Sequence, residues 1–159
     1  MPAHDYRRRP PLDDQTKYHD DEVFMKKRLP LLVLVFAIHS TMPADAASLL
    51  DEYARQARLE DSSFAGFSAA RGKAFFRARH QTGAAETPSC TSCHTQTPTL
   101  PGLTRAGKTI APLARSVSPE RYTDKRKVEK WFRRNCNSVL KRACRAREKG
   151  DFITFMFSQ

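Results

Sequence analysis

Cys90-Thr91-Ser92-Cys93-His94 (CTSCH) is the stretch that decides what kind of fold this chain must build. Two thiols two residues apart, followed at once by an imidazole, form the attachment signature of a c-type haem. The gap places both thiols on one turn of backbone, where each can add to a haem vinyl group as a thioether. His94 then points its imidazole at the iron as the proximal ligand, which sets the electronics of the metal. A tethered haem also contributes apolar area, which matters to a core of only about a hundred residues. Phe75, Phe76, Trp131 and Phe132 are the expected wall residues. Two rival chemistries use the same side chains. A dithiol oxidoreductase built on Cys90 and Cys93 usually rests on a βαβ pattern, and no such pattern is present. A zinc site of Cys90, Cys93 and His94 needs a fourth ligand, and nothing nearby is well spaced for one.

The sequence around the motif reads as helices and loops. Ser48 caps a first helix (SLLDEYARQARLED), with Leu49, Leu50, Tyr53 and Ala57 near helical spacing. A second helix is expected over 68–79, with Gly72 and Phe76 four apart on one face. From Gln81 to Pro119 the text is rich in Thr, Pro and Gly and reads as loop with short helical turns, and Ser118-Pro119-Glu120 reads as a cap. A third helix is expected over 123–140, where Val128, Trp131, Phe132, Asn135 and Val139 follow helical spacing and put one asparagine on the apolar stripe. A last helix, 145–158, carries Phe152, Phe155 and Met156 on its inner side. There is no repeat and no strand alternation, so the class is all-α.

Ahead of this domain lies an export address. Met25-Lys26-Lys27-Arg28, the apolar run from Leu29 to Ile38 and Ala44-Asp45-Ala46 are a positive region, a short apolar region and a small-x-small cleavage site. Residues 25–46 are therefore the expected signal peptide and 47–159 the expected mature domain, with 1–24 read as a start-site artefact or disordered extension and Met25 as the expected start. The three arginines 7–9 lie too far from the apolar run for a twin-arginine signal. The 159 residues are 40% hydrophobic and 28% charged, which excludes wholesale disorder, and suit one domain plus extra sequence. No apolar run reaches the roughly 18 residues of a bilayer crossing, so no permanent membrane span is expected. The expected location is the periplasm.

Export places Cys136 and Cys144 in an oxidising compartment, where a disulfide is the default and two free buried thiols the alternative. Its short loop would fix the end of the third helix against the following chain. What occupies the sixth position on the iron decides the function, because a strong second ligand gives a low-spin electron carrier and a weak one leaves room for a small gas. Met156 and His80 are the candidates for a permanent ligand: Met156 reads better as core, and His80 reaches the iron only if its loop folds back. Asn135 is either a capping or core-network asparagine or a residue facing the iron, since an amide on an apolar stripe needs a partner.

CTSCH, TRAGKTIAPLA (104–114), RYTDKRKVEKWFRRNCNSV (121–139) and Cys144 together resemble the sphaeroides haem protein family, the high-spin, oxygen-binding c-type cytochromes. The resemblance runs from about Leu49 to the end, and RNCNSV is much more specific than the haem motif. It implies a class I cytochrome c fold with one covalent haem c, His94 and Asn135 on the iron, and Cys136 bonded to Cys144. The asparagine is then a weak ligand of the oxidised state that leaves on reduction, and the vacated site binds oxygen or nitric oxide. Pro112 resembles the loop proline of class I cytochromes, whose carbonyl accepts a hydrogen bond from the proximal histidine. Whether the protein also turns over oxygen or nitric oxide is left open by the resemblance. A diheme cytochrome c and a b-type membrane cytochrome are the implied partners.

Charge supports an acidic redox partner. The chain has 28 Lys+Arg against 17 Asp+Glu, a net +11, and the part from Arg105 onward alone carries +10. Lys125, Arg126, Lys127, Lys130, Arg133 and Arg134 form a basic run on the third helix, read either as a solvated face or as a steering surface. Nucleic acid is a poor partner for an exported protein.

Overall fold

The structure, a computed structural model, describes residues 44–82 and 84–159; the extension 1–24 and the expected signal segment up to residue 43 lie outside the described residues. Helix α1 is Ala44–Glu60. It starts ahead of the expected Ser48 cap, so cleavage after Ala46 would shorten its first turn. Leu49, Tyr53 and Ala57, each four residues from the next, are its buried face.

Helix α2, Ala69–Arg77, begins where Ser68 caps it, the hydroxyl accepting from Arg71 N. Gly72 and Phe76 are its buried residues, on the expected face. Gly72 is required by closeness: a Cβ there would overlap the carbonyl oxygen of Asp151 on helix α4, Ala146–Phe157. The same Asp151 side chain is buried and fully engaged. Its Oδ1 accepts from Ser68 N at 2.7 Å, and the Arg71 guanidinium donates to both oxygens at 2.8 Å. This carboxylate therefore fastens the start of α2 to α4, and the fastening is worth keeping because an unpaired buried charge is expensive.

Helix α3, Lys125–Leu140, is capped by Asp124, which accepts from Lys127 N, and ends at Lys141 in the left-handed region (φ 56°). Cys136 and Cys144 are joined by a disulfide with Cα atoms 5.6 Å apart, which ties the last turn of α3 to the chain entering α4. The buried stripe of α3 is Val128, Phe132, Cys136, Val139 and Leu140. Trp131 and Asn135, expected on that stripe, lie on its exposed flank instead. They are i and i+4 and so share one line along the helix.

Among the described residues the helices form a main core that includes Leu49, Tyr53, Phe76, Phe132, Ile153, Phe155 and Met156, with a smaller cluster of Ala57, Phe64 and Ala146. Two strands of two residues each, β1 Gly102–Leu103 and β2 Thr109–Ile110, pair antiparallel with Gly102 opposite Ile110 and Leu103 opposite Thr109. They were not expected, and they leave the molecule predominantly helical. Ser118-Pro119-Glu120 forms turns rather than a helix start.

Candidate functional site

The CTSCH segment is held as a unit by its own hydroxyls and by the strand behind it. Cys90–Ser92 is one 3-10 turn capped by Ser89. Thr91 N donates to Ser89 Oγ and Ser89 N donates to Ser92 Oγ, both at 3.2 Å. Ser89 Oγ also donates to the Phe76 carbonyl at 3.3 Å, which anchors the turn to the end of α2. His94 N donates to Cys90 O at 3.1 Å, and Leu103 N donates to Cys93 O at 2.8 Å. Gly102 allows that last approach, since a Cβ there would fall against the Cys93 carbonyl oxygen. Ser89 and Gly102 were not singled out from sequence, although a Ser before a turn and an isolated Gly beyond it are the usual signals for a cap and a close approach.

Both motif cysteines are free and half-buried. Burial pushes the Cys90 thiol up to about 11. At neutral pH it is a thiol, which disfavours the dithiol oxidoreductase reading, because reactive redox cysteines carry lowered pKa values. Burial, with a smaller contribution from the Arg121 charge, brings His94 down to about 4. Its imidazole is therefore neutral at pH 7 with a lone pair free to bind a metal. Arg121 is held beside it by donating to the Ala111 carbonyl at 2.8 Å. The Pro112 carbonyl accepts from Ser118 Oγ at 3.0 Å, and it keeps a second lone pair for a further donor. Among the described residues no group of three His, Cys, Asp or Glu side chains is arranged to hold a bare metal ion, which counts against the zinc reading.

The residues fit a haem. Trp131, Leu100 and Leu103 are among the large apolar side chains left exposed, at 52%, 54% and 58%. Leu103 is bonded through its backbone to the motif, and Trp131 shares its line on α3 with Asn135. Two half-buried thiols, a neutral imidazole and exposed apolar side chains, Leu103 among them bonded to the motif, are the donor set and the apolar surface that a tethered porphyrin needs. Asn135 is exposed and its amide has no hydrogen bond among the described residues. Of the expected wall residues, Phe76 and Phe132 are core, Phe75 is half-buried, and Trp131 is open.

Met156 is fully buried inside the core. His80 sits at the base of the loop before the motif, its N donating to Pro88 O at 2.6 Å and its ring 5.8 Å from that of Phe75. Its Nε2 is buried without a partner, and the residue lines a cavity of about 440 Å³ with Arg79, Gln81, Ala84, Ala85 and Pro88. The loop is tied to the last turns of α3, where Ala84 N donates to Ser138 O and Thr82 Oγ1 to Leu140 O, both at 3.2 Å. In the basic run, Lys125 pairs with Glu52 and Lys127 with Asp124, while Arg134 lies 5.4 Å over the Trp131 ring. Arg126, Lys130 and Arg133 are exposed and have no ion pair among the described residues.

A family model described as a domain of unknown function (DUF1924) matches residues 62–156. The cytochrome c-type protein SHP of Cereibacter sphaeroides is 47% identical over 100 residues, covering 63% of this chain and 78% of its own. Cytochrome c'' of Methylophilus methylotrophus is 31% identical over 137 residues, covering 85% and 95%. The structure of oxidised SHP, described as an oxygen-binding cytochrome c, superposes with a TM-score of 0.66 at 44% identity, over 72% of this chain and 96% of that one. The crystal structure of oxidised cytochrome c'' gives 0.65 at 34%, over 72% and 94%.

Proposed function

This chain belongs to the family of c-type cytochromes that includes SHP and cytochrome c'', with their class I fold, and from that premise we propose that it is a periplasmic monohaem cytochrome whose iron exchanges a labile asparagine for a small diatomic ligand. Cys90 and Cys93 would tether the haem, His94 would hold its iron permanently and Asn135 would be the removable ligand. When bound, the haem would supply an iron that changes oxidation state and can take up a small ligand.

The chain's own residues do the rest. The hydrogen-bonded turn from Ser89 to His94 fixes the backbone that carries the neutral imidazole. Asn135 offers a neutral amide, a weak donor whose departure costs little. Once displaced, its NH2 can donate a hydrogen bond to an incoming oxygen or nitric oxide molecule. Arg126, Lys130 and Arg133 steer an acidic redox partner, in keeping with the diheme cytochrome c and b-type membrane cytochrome implied by the resemblance.

The observation that carries this reading is the exposed, unbonded Asn135 beside Trp131 on the flank of α3. Optical spectra of the haem-loaded protein test it. The expected result is a high-spin ferric form and a ferrous form that takes up carbon monoxide. Low-spin spectra in both states with no carbon monoxide uptake would overturn it. The unpartnered Nε2 of His80 favours a second reading, in which that imidazole is a permanent sixth ligand and the protein is a plain electron carrier. That low-spin result is what the second reading requires.

A further inference from the structure

Two tyrosines lie in the domain, and both are buried, but their hydroxyls meet different partners. Tyr122 donates to the Leu113 carbonyl at 2.8 Å, an oxygen that cannot accept a proton outright. Tyr53, 1% exposed, donates to the carboxylate of Glu129. Lys149 holds that carboxylate with both oxygens at 3.0 and 2.8 Å, and its ammonium lies 5.2 Å over the Tyr53 ring. A phenol with a charged carboxylate in hydrogen-bond contact has a proton acceptor already in place.

The Tyr53 ring also heads a line of aromatic contacts. Its centroid is 6.3 Å from Phe132, Phe132 is 5.6 Å from Phe152, and Phe152 is 6.1 Å from Phe76. The Phe76 carbonyl accepts from Ser89, the cap of the Cys90 turn, and Cys90 packs against the same core. Phe132 stands on α3 three residues before Asn135. The line thus runs from the α1 face through three aromatic pairs to Phe76, and a hydrogen bond from Ser89 links Phe76 to the haem attachment turn.

We propose that Tyr53 is a redox-active tyrosine that supplies one electron when the haem meets hydrogen peroxide, with Glu129 taking its proton. The step rests on the haem reading above. Hydrogen peroxide needs two electrons and two protons for its oxygen–oxygen bond to break and two waters to leave. Ferrous iron gives one electron and becomes ferric. Tyr53 gives the other: its O–H bond breaks, the proton goes to the Glu129 carboxylate, the electron passes through the aromatic line, and a neutral phenoxyl radical remains. The two protons that complete the waters come from solvent. Without this donor the second oxidising equivalent stays on the haem and destroys it. Tyr122, which has no base, does not substitute.

The test mixes anaerobic ferrous haem-loaded protein with one equivalent of hydrogen peroxide, freezes it and records its electron paramagnetic resonance spectrum. A chain cleaved after Ala46 keeps Tyr53 and Tyr122 as its tyrosines, so the assignment is direct. The expected result is one tyrosyl radical per ferric haem, lost in Tyr53→Phe and kept in Tyr122→Phe. Glu129→Gln, which keeps an acceptor oxygen but binds a proton poorly, lowers the yield. Repeated peroxide additions bleach Tyr53→Phe faster than the parent. A radical unchanged in Tyr53→Phe, one lost instead in Trp131→Phe, or none in the parent would overturn the proposal. Haem content and carbon monoxide uptake are measured on the same sample: intact haem that binds carbon monoxide without a radical sinks this inference alone, and missing haem sinks the functional reading with it.

Discussion

The two sides of the proposed haem site are built in opposite ways. On the motif side the backbone is stitched down: Ser89, Ser92, Gly102 and Leu103 hold the turn, and His94 is half-buried and neutral at pH 7. On the α3 side the fixed part is the helix, pinned one residue beyond Asn135 by the Cys136–Cys144 disulfide, while the Asn135 amide is exposed and makes no hydrogen bond among the described residues. On the proposed reading, the ligand that stays has a rigid seat, and the ligand that leaves has a rigid backbone and a free side chain, so that its departure would move little else.

Substitutions can break each side in turn. Cys90→Ala with Cys93→Ala removes the tether itself. The expected outcome is protein whose haem is extracted completely by acidified acetone, where the parent keeps its colour. Next in size is Gly102→Ala, which forces a methyl against the Cys93 carbonyl. It should cost about 3 kcal/mol of stability by overpacking, measured by denaturant unfolding. Replacing both Cys136 and Cys144 with Ala opens a short loop and should cost about 2–3 kcal/mol. That variant should also loosen the position of Asn135 and so change carbon monoxide affinity. Asn135→Val should shift stability by no more than about 0.5 kcal/mol, as exposed positions usually do, yet it should leave the ferric iron without its sixth protein ligand.

The smallest effect concerns acid. Burial works to raise the Glu129 carboxyl, but hydrogen bonds from Lys149 and Tyr53 and the charges of Lys149 and Lys125 outweigh it and hold the group below its ordinary 4.5. The folded protein then binds fewer protons than the unfolded chain in that range. The stabilisation is full above the ordinary value and is lost as pH falls through the lowered one. Glu129→Gln should flatten the stability profile below pH 4.5, as followed by unfolding at stepped pH, while the motif side is untouched.

How much of this could be read from sequence depends on distance along the chain. The second helix and its shared face of Gly72 and Phe76 were legible because local spacing determines them. So was the pairing of Cys136 with Cys144, since only two thiols stood outside the motif. The α3 stripe was misread in part. Trp131 and Asn135 fit helical spacing, but Cys136 and Leu140 take the core positions and the other two face outward. Periodicity records that a side chain is apolar, and it cannot distinguish a core position from one that faces a cofactor. The β1–β2 pair is too short for alternation to register. Arg121 reaches His94 across 27 positions of chain, and the Tyr53–Glu129 contact spans 76, so neither leaves a local trace.

The account is tested most directly by the iron's coordination, determined in crystals of the haem-loaded protein in both oxidation states. It predicts His94 bound in both, and Asn135 on the iron when oxidised and swung away when reduced. Finding His80 or Met156 on the iron in either state, or Asn135 held in both, would contradict it.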